Sequence, residues 1–382
     1  MIETLDLDSV RGRLAGLERS PRPADVAAAM RAEGMIVSDG VLISTLESLR
    51  RDSVGAGKLE PLLRQAGVTD VLVNGPDQVF IDRGMGLELT SVRFSSESEV
   101  RRLAQRLAAL VGRRLDDASP YMDARLPDGT RMHAILSSLA DPGTCLSLRV
   151  PARRNFTFDE MVAAGSLSPS AAQLLRRMVE RRLAFLISGG TGSGKTTLLS
   201  ALLGLVPSTE RLLIIEDSRE LSPDHPHVVR LEARRANSES AGSVSLTDLV
   251  RQALRMRPDR LVVGEVRGAE ISDLLMALNT GHEGGCGTVH ANSARDVPAR
   301  LEALGALSGL RRDALHAQLV AALGAVVHIV RTQSGQRWVS DICVLDRRPD
   351  GLVEAKQAIT FQQDGDTPLG PGGSLLEGLL DR

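Results

Sequence analysis

Eight residues, Gly189-Gly190-Thr191-Gly192-Ser193-Gly194-Lys195-Thr196, fit the pattern G-x-x-x-x-G-K-[ST] and constrain this chain more than any other feature. The run Leu183-Ala184-Phe185-Leu186-Ile187 ahead of them reads as a buried strand, and Thr197 to Leu203 behind them as a helix. A strand–glycine loop–helix unit converges backbone N–H groups on one spot, and the helix N-terminus adds partial positive charge, which together suit phosphate. Gly190, Thr191, Gly192, Ser193, Gly194, Lys195, Thr196 and Thr197 are therefore expected to cradle a nucleoside triphosphate such as ATP. Lys195 would counter the charge of the β- and γ-phosphates, and the Thr196 hydroxyl would ligate Mg²⁺. A Gly/Ser loop carrying a Lys-Thr pair by chance would not come framed by this strand and this helix. Lysine is scarce here: Lys58, Lys195 and Lys356 are the only three, and one holds the position phosphate chemistry requires.

At 382 residues the chain is long enough for two domains, and its 42% hydrophobic content supports sizeable cores. Aromatics make up only 2%, so Leu, Val and Ala must do most of the packing. A formal net charge of −2 gives no case for a strongly basic nucleic-acid binder, and no direct nucleic-acid partner is expected. Cys145, Cys286 and Cys343 form no C-x-x-C pair, which fits a reducing compartment and excludes a cysteine zinc site or a disulfide scaffold. Met1 to Asp6 lack a signal-peptide apolar core, and the longest strongly apolar stretch, 319–330, is too short to span a bilayer. A cytoplasmic location follows as an expectation.

Residues 1–57 read as a helical extension broken by Pro21, Pro23, Gly34 and Gly40. Residues 58–150 read as a small α+β domain: a short helix over 59–65, strands over 68–74, 78–82, 132–136 and 145–150, and an amphipathic helix over 97–113. A linker is expected over 151–158. From 159 to 346 strands and helices alternate, which implies a parallel-type sheet covered on both faces. Its strands are expected over 211–216, 260–264 and 286–290, with edge strands over 326–331 and 338–346. Residues 347–382 read as a C-terminal segment, mobile over 363–374 where Gly, Pro and Asp accumulate.

Two acids follow apolar strands downstream of the loop: Glu216 after Leu213-Ile214-Ile215, and Glu265 after Leu261-Val262-Val263-Gly264. In a phosphate-loop fold such acids face the nucleotide, where they hold Mg²⁺ or orient the attacking water. A metal-associated acid must lie beside the Thr196 hydroxyl, and a base in line with the γ-phosphate. We assign Glu265 to the base or water-orienting role and Glu216 to the acid near Mg²⁺. His282 and His290 bracket the cluster Gly284-Gly285-Cys286-Gly287. No further ligand stands at metal-site spacing, so they sense the γ-phosphate, couple it to a subunit interface, or are surface histidines at loop ends. Arg125 and Arg131, within Asp123 to Arg131 of the small domain, sit in Gly/Pro-containing turns from which guanidiniums can reach phosphate oxygens.

Taken together, Gly189 to Thr197, Ile215-Glu216-Asp217-Ser218-Arg219-Glu220-Leu221, Leu254 to Arg260, Val263-Gly264-Glu265-Val266-Arg267-Gly268 and the His282/His290 segment resemble the type II/type IV secretion ATPases. The resemblance is closest to their tight-adherence (Tad) pilus, conjugal-transfer-associated branch, and it extends into Val71 to Pro76, Gly112 to Asp116 and Asp123 to Gly129. It implies a RecA-like P-loop ATPase domain preceded by a PAS-like α+β domain, assembled as a homohexamer. It implies Glu216 in an Asp box, Glu265 in Walker B, His282 and His290 in a His box, and Arg125 and Arg131 approaching a bound nucleotide. The implied activity is Mg²⁺-dependent ATP hydrolysis that drives pilus assembly or protein secretion through an inner-membrane platform protein. Two departures stand out: the cysteine-rich metal element of many type II members is absent, and Gly284 to Gly287 replace a Gly-Ser pattern. A RecA-like DNA translocase and a nucleotide-binding scaffold without turnover are the alternatives; DNA-stimulated hydrolysis and phosphate release, respectively, separate them from the secretion motor.

Overall fold

The computed structural model describes residues 10, 13–14, 23–35, 37–38, 40–43, 45, 55–84, 86–151, 156–234, 242–332, 334–362 and 368–381. The chain divides into two compact units, Met1–Ala152 and Arg153–Arg382. Most of the helical extension expected over 1–57, and much of the linker expected over 151–158, lie outside the described residues. A helix is described over Pro23–Ala32 (α1), and Phe158 already begins a helix (α4, Phe158–Ala163).

The first unit is built on one antiparallel sheet of six strands: β1 (Asp70–Asn74), β2 (Gln78–Asp82), β3 (Leu87–Leu89), β4 (Tyr121–Arg125), β5 (Arg131–Ile135) and β6 (Cys145–Arg149). Their spatial order is β3-β2-β1-β6-β5-β4. Val71, Val73, Val79 and Ile81 alternate onto one face and meet Val100, Leu103, Ala104 and Leu107 of the helix Glu97–Leu110 (α3), capped by Ser96. This helix follows the short helix Glu60–Leu63 (α2). No strand is expected from sequence at β3 or β4; β3 is three residues long and exposed along its whole length, and β4 turns Met122 and Ala124 onto the core.

The second unit is an eight-stranded sheet between two layers of helices. Its strands are β7 (Phe185–Gly189), β8 (Leu212–Glu216), β9 (Val228–Glu232), β10 (Arg260–Val266), β11 (Cys286–His290), β12 (Ala325–Arg331), β13 (Arg337–Arg347) and β14 (Val353–Thr360). The order is β14-β13-β12-β7-β11-β10-β8-β9. Every pair from β12 to β9 is parallel, while β12–β13 and β13–β14 are antiparallel. The near-continuous apolar runs have a simple cause. Phe185, Ile187, Leu212 and Ile214 point into one core, and Leu186, Leu213 and Ile215 into the other.

The first core is closed by α4, Pro169–Glu180 (α5), Lys195–Leu203 (α6) and, at the chain's end, Gly373–Leu380 (α11). The second is closed by Leu246–Ala253 (α7), Glu270–Leu278 (α8), Val297–Leu307 (α9) and Arg312–Ala322 (α10). Three expectations need correction. The strands expected at the edge, over 326–331 and 338–346, are interior, because β14 covers them. The sheet therefore runs past 346, with Arg347 paired to Val353. Residues 363–367 of the expected mobile tail lie outside the described residues, but Gly370 and Gly372 donate to Ala358 and Gln357 carbonyls at 2.8 Å, which pins the chain before α11.

Candidate active site

The phosphate loop lies between β7 and α6, at the carboxyl ends of the parallel strands. Gly189 is dictated by packing: a Cβ there would stand 2.4 Å from the Ile329 carbonyl oxygen and 2.6 Å from Ser193 Oγ. Gly194 caps α6 at φ 100°, a left-handed conformation that glycine adopts without strain. Gly190, Thr191 and Gly192 line the open side of the loop, and Thr197 is half-buried one residue into the helix beyond Thr196. Lys195 is only 9% exposed, and its Nζ donates to the Gly189 and Gly190 carbonyls at 3.0 and 2.8 Å. Burial lowers its pKa from the ordinary lysine value, and the nearby Glu265 charge opposes that shift. Ser193 Oγ is buried in the same loop with no hydrogen-bond partner.

The carboxylates of Glu216, Glu220 and Glu265 come to this end of the sheet. Glu216, 4% exposed, turns inward: its Oε1 accepts the backbone N–H groups of Glu220 and Leu221, both at 2.9 Å. Burial raises its pKa, against the pull of those two amides, and its Oε2 is buried without a partner. Room for it comes from Gly264 on the neighbouring strand, where a Cβ would lie 2.6 Å from Glu216 Cγ. Glu220, not singled out from sequence, is the acid beside Thr196, whose hydroxyl donates to its Oε2 at 3.4 Å. The signal was in the motif: Glu216 folds the turn back, and four residues later the chain returns to the loop. Glu265 lies within β10 rather than after it, at an irregularity in the β10–β11 pairing. Arg267 donates to Glu265 Oε2 at 2.5 Å and stands 3.8 Å from Asp217.

The two histidines separate. His290 ends β11 directly beside Gly189 in the sheet register. His282 precedes β11, in the turn whose Gly285 carbonyl accepts the Phe185 N–H at the start of β7. Four strand residues, about 13 Å, therefore lie between its end of the sheet and the loop. Its Nδ1 instead stands 3.2 Å from the Ala277 carbonyl. A third histidine, His328, fills a position no motif marks, in the middle of the apolar run Ala325 to Val330. Only 4% exposed, it sits opposite Ser188 of β7, with its Nδ1 2.8 Å from Ser188 Oγ. Burial lowers its pKa, while Asp341 and a hydrogen bond to the Asn292 backbone act in the other direction. From the β12–β13 hairpin, Arg337 reaches the phosphate loop itself and donates to the Gly192 carbonyl at 3.0 Å.

In the first unit, Arg125 and Arg131 are not in turns but are paired directly across β4 and β5, and Arg131 pairs onward with Arg149 of β6. The three guanidiniums thus start from one row on one face of that sheet. Among the described residues no cluster of His, Cys, Asp and Glu has the makings of a metal site by itself, and no helix is long and apolar enough to cross a membrane.

Comparison with known proteins agrees with this architecture. The family model described as type II/IV secretion system protein matches residues 52–363. A putative conjugal transfer protein of Mycobacterium tuberculosis is 54% identical over 326 residues, covering 84% of this chain and 92% of that protein. The probable conjugal transfer protein TrbB of Sinorhizobium fredii is 32% identical over 298 residues, 76% of this chain and 87% of its own length. Two solved structures share the fold: the Legionella pneumophila ATPase DotB, with TM-score 0.50, 20% identity and 78% of each chain covered, and the pilus retraction motor PilT with bound ADP, with TM-score 0.51, 19% identity and 82% of each chain covered. On the breadth of the family match and the identity to its curated relatives, this chain belongs to the type II/IV secretion system protein family.

Proposed function

We propose that the chain is a Mg²⁺-dependent ATPase, a RecA-like motor with a PAS-like first unit, that powers pilus assembly or protein secretion of the tight-adherence kind. It would work as a homohexamer at the inner face of the cytoplasmic membrane, against an inner-membrane platform protein. The observation that carries the reading is Lys195, a nearly buried ammonium held over the loop by two glycine carbonyls. With the unpartnered Ser193 hydroxyl and the α6 N-terminus, it supplies donors that suit a polyphosphate.

Thr196 and Glu220 would hold Mg²⁺, which when bound draws charge off the β- and γ-phosphates. Glu265 is the base or water-orienting group, aimed by Arg267. Glu216 folds the Asp217 to Leu221 turn that carries Glu220, a supporting role in place of the metal role expected from sequence. His290, whose strand runs beside Gly189, senses the γ-phosphate, and His282 couples to a neighbouring subunit. Arg125 and Arg131 approach the nucleotide across a subunit boundary. Relatives named for conjugal transfer favour a second reading, a DNA motor, which hydrolysis stimulated by DNA would establish.

The test is direct. Lys195→Ala should abolish phosphate release from ATP while leaving the unfolding midpoint unchanged, and a near-wild-type rate overturns the assignment. In a magnesium titration, Glu265→Gln should bind ATP tightly and stall before hydrolysis, whereas Glu220→Gln should require more Mg²⁺; the reverse pattern exchanges the two roles.

A further inference from the structure

The strand β12 is hydrogen-bonded in parallel to β7 but runs further: Gly189 ends β7 at the level of Ile329, while β12 continues to Arg331. The overhang carries the β12–β13 hairpin up beside the phosphate loop. Its tip is tightly closed, with Thr332 N–H on the Gln336 carbonyl at 2.8 Å and Gly335 N–H on the Thr332 carbonyl at 3.0 Å. Arg331 and Arg337 are the last pair of the ladder. The stem of Arg337 covers Gly194, where a Cβ would lie 3.4 Å from Arg337 Cδ, and its Nε donates to the Gly192 carbonyl at 3.0 Å.

The peptide joining Gly192 to Ser193 is a planar unit whose C=O and N–H point in opposite directions. Fixing the carbonyl outward on Arg337 therefore turns the Ser193 N–H the other way, where it donates a long hydrogen bond, 3.4 Å, to the Gly190 carbonyl. Gly192, at φ 68° and exposed, offers no side chain to resist rotation of that peptide, so the long Ser193–Gly190 hydrogen bond restrains it from within the loop and Arg337 from outside. We propose that Arg337 is a positioning residue of the phosphate loop: its hydrogen bond to the Gly192 carbonyl keeps the Ser193 N–H facing the bound phosphates. The inference rests on the nucleotide-site reading above. Arg337 also has its pKa lowered by burial and by the neighbouring Arg331, so the guanidinium is held there against electrostatic repulsion.

The role is the donor atom and not the charge, which the choice of replacement separates. In Arg337→Gln the amide nitrogen stands at the same bond count as arginine Nε. In Arg337→Lys a methylene stands there, and the charge lies one bond beyond. Binding of ADP with Mg²⁺ is to be measured by calorimetry for the wild type, Lys195→Ala and the three Arg337 variants, beside their unfolding midpoints without ligand. We expect Arg337→Ala to weaken ADP binding about tenfold with kcat at saturation retained, as the loss of one hydrogen bond predicts. Arg337→Gln should recover most of that loss and Arg337→Lys little of it. Arg337→Ala binding as well as wild type, or lysine rescuing better than glutamine, overturns the inference while the nucleotide site stands. If Arg337→Ala does not fold, the ranking of the Gln and Lys variants decides. A wild-type protein that binds no nucleotide removes both.

Discussion

At the scale of single residues, the loop end of the sheet is controlled by side chains that hold backbone rather than ligand. Glu216 holds two amides, Arg337 a carbonyl, and His328 ties Ser188 to the Asn292 backbone. His328 makes a pH prediction with a definite sign. Its folded pKa lies below that of an exposed histidine, so on acidification the unfolded chain takes up a proton first, near about pH 6.5. The stability it contributes is complete above that value and falls as pH drops further. Denaturant midpoints at pH 7.5 and 5.5 should show a loss that is smaller in His328→Gln, and equal slopes in both proteins would contradict this.

At the scale of elements, the site is assembled by strand neighbours approaching more closely than side chains allow. Gly264 faces Glu216 across the β8–β10 pair, so Gly264→Ala must push that buried carboxylate aside. A loss of about 1–3 kcal/mol in chemical denaturation is expected, with weakened nucleotide binding because the Glu220 turn shifts too. Strands buried on both faces, such as Leu212–Glu216, and the glycine loop were legible because their patterns are local. The edge position of β14, the place of Glu220 and the reach of Arg337 were not. Each depends on which distant strand lies alongside, and no local period encodes that. The exposed β3, three residues long, is too short for a period to be read. His328 hid for the opposite reason: it occupies a core position that elsewhere in the strand is apolar.

At the scale of the whole molecule, the phosphate site belongs to the second unit and the arginine row of β4, β5 and β6 to the first. In the ring proposed above, nucleotide at subunit boundaries would bring these halves together between chains. On that proposal, light scattering should find six copies in the presence of nucleotide. Arg125→Ala and Arg131→Ala should lower kcat about tenfold or more while ADP affinity stays within about twofold, because such groups act on charge developed during transfer. A fully active monomer would contradict the assembly and both arginine roles.

The strand order also sets a timetable for folding. The meander β12–β13–β14 is local in sequence and can form by itself, whereas β7 lies between strands that are made much later, β11 and β12. Pairings of such long range close late, since chain entropy must be overcome before they form. During synthesis the strand that feeds the phosphate loop has no neighbour until residue 290 has left the ribosome, and lacks its second until residue 331 has. The nucleotide site is thus one of the last parts of the chain to be finished, although its sequence appears near the middle.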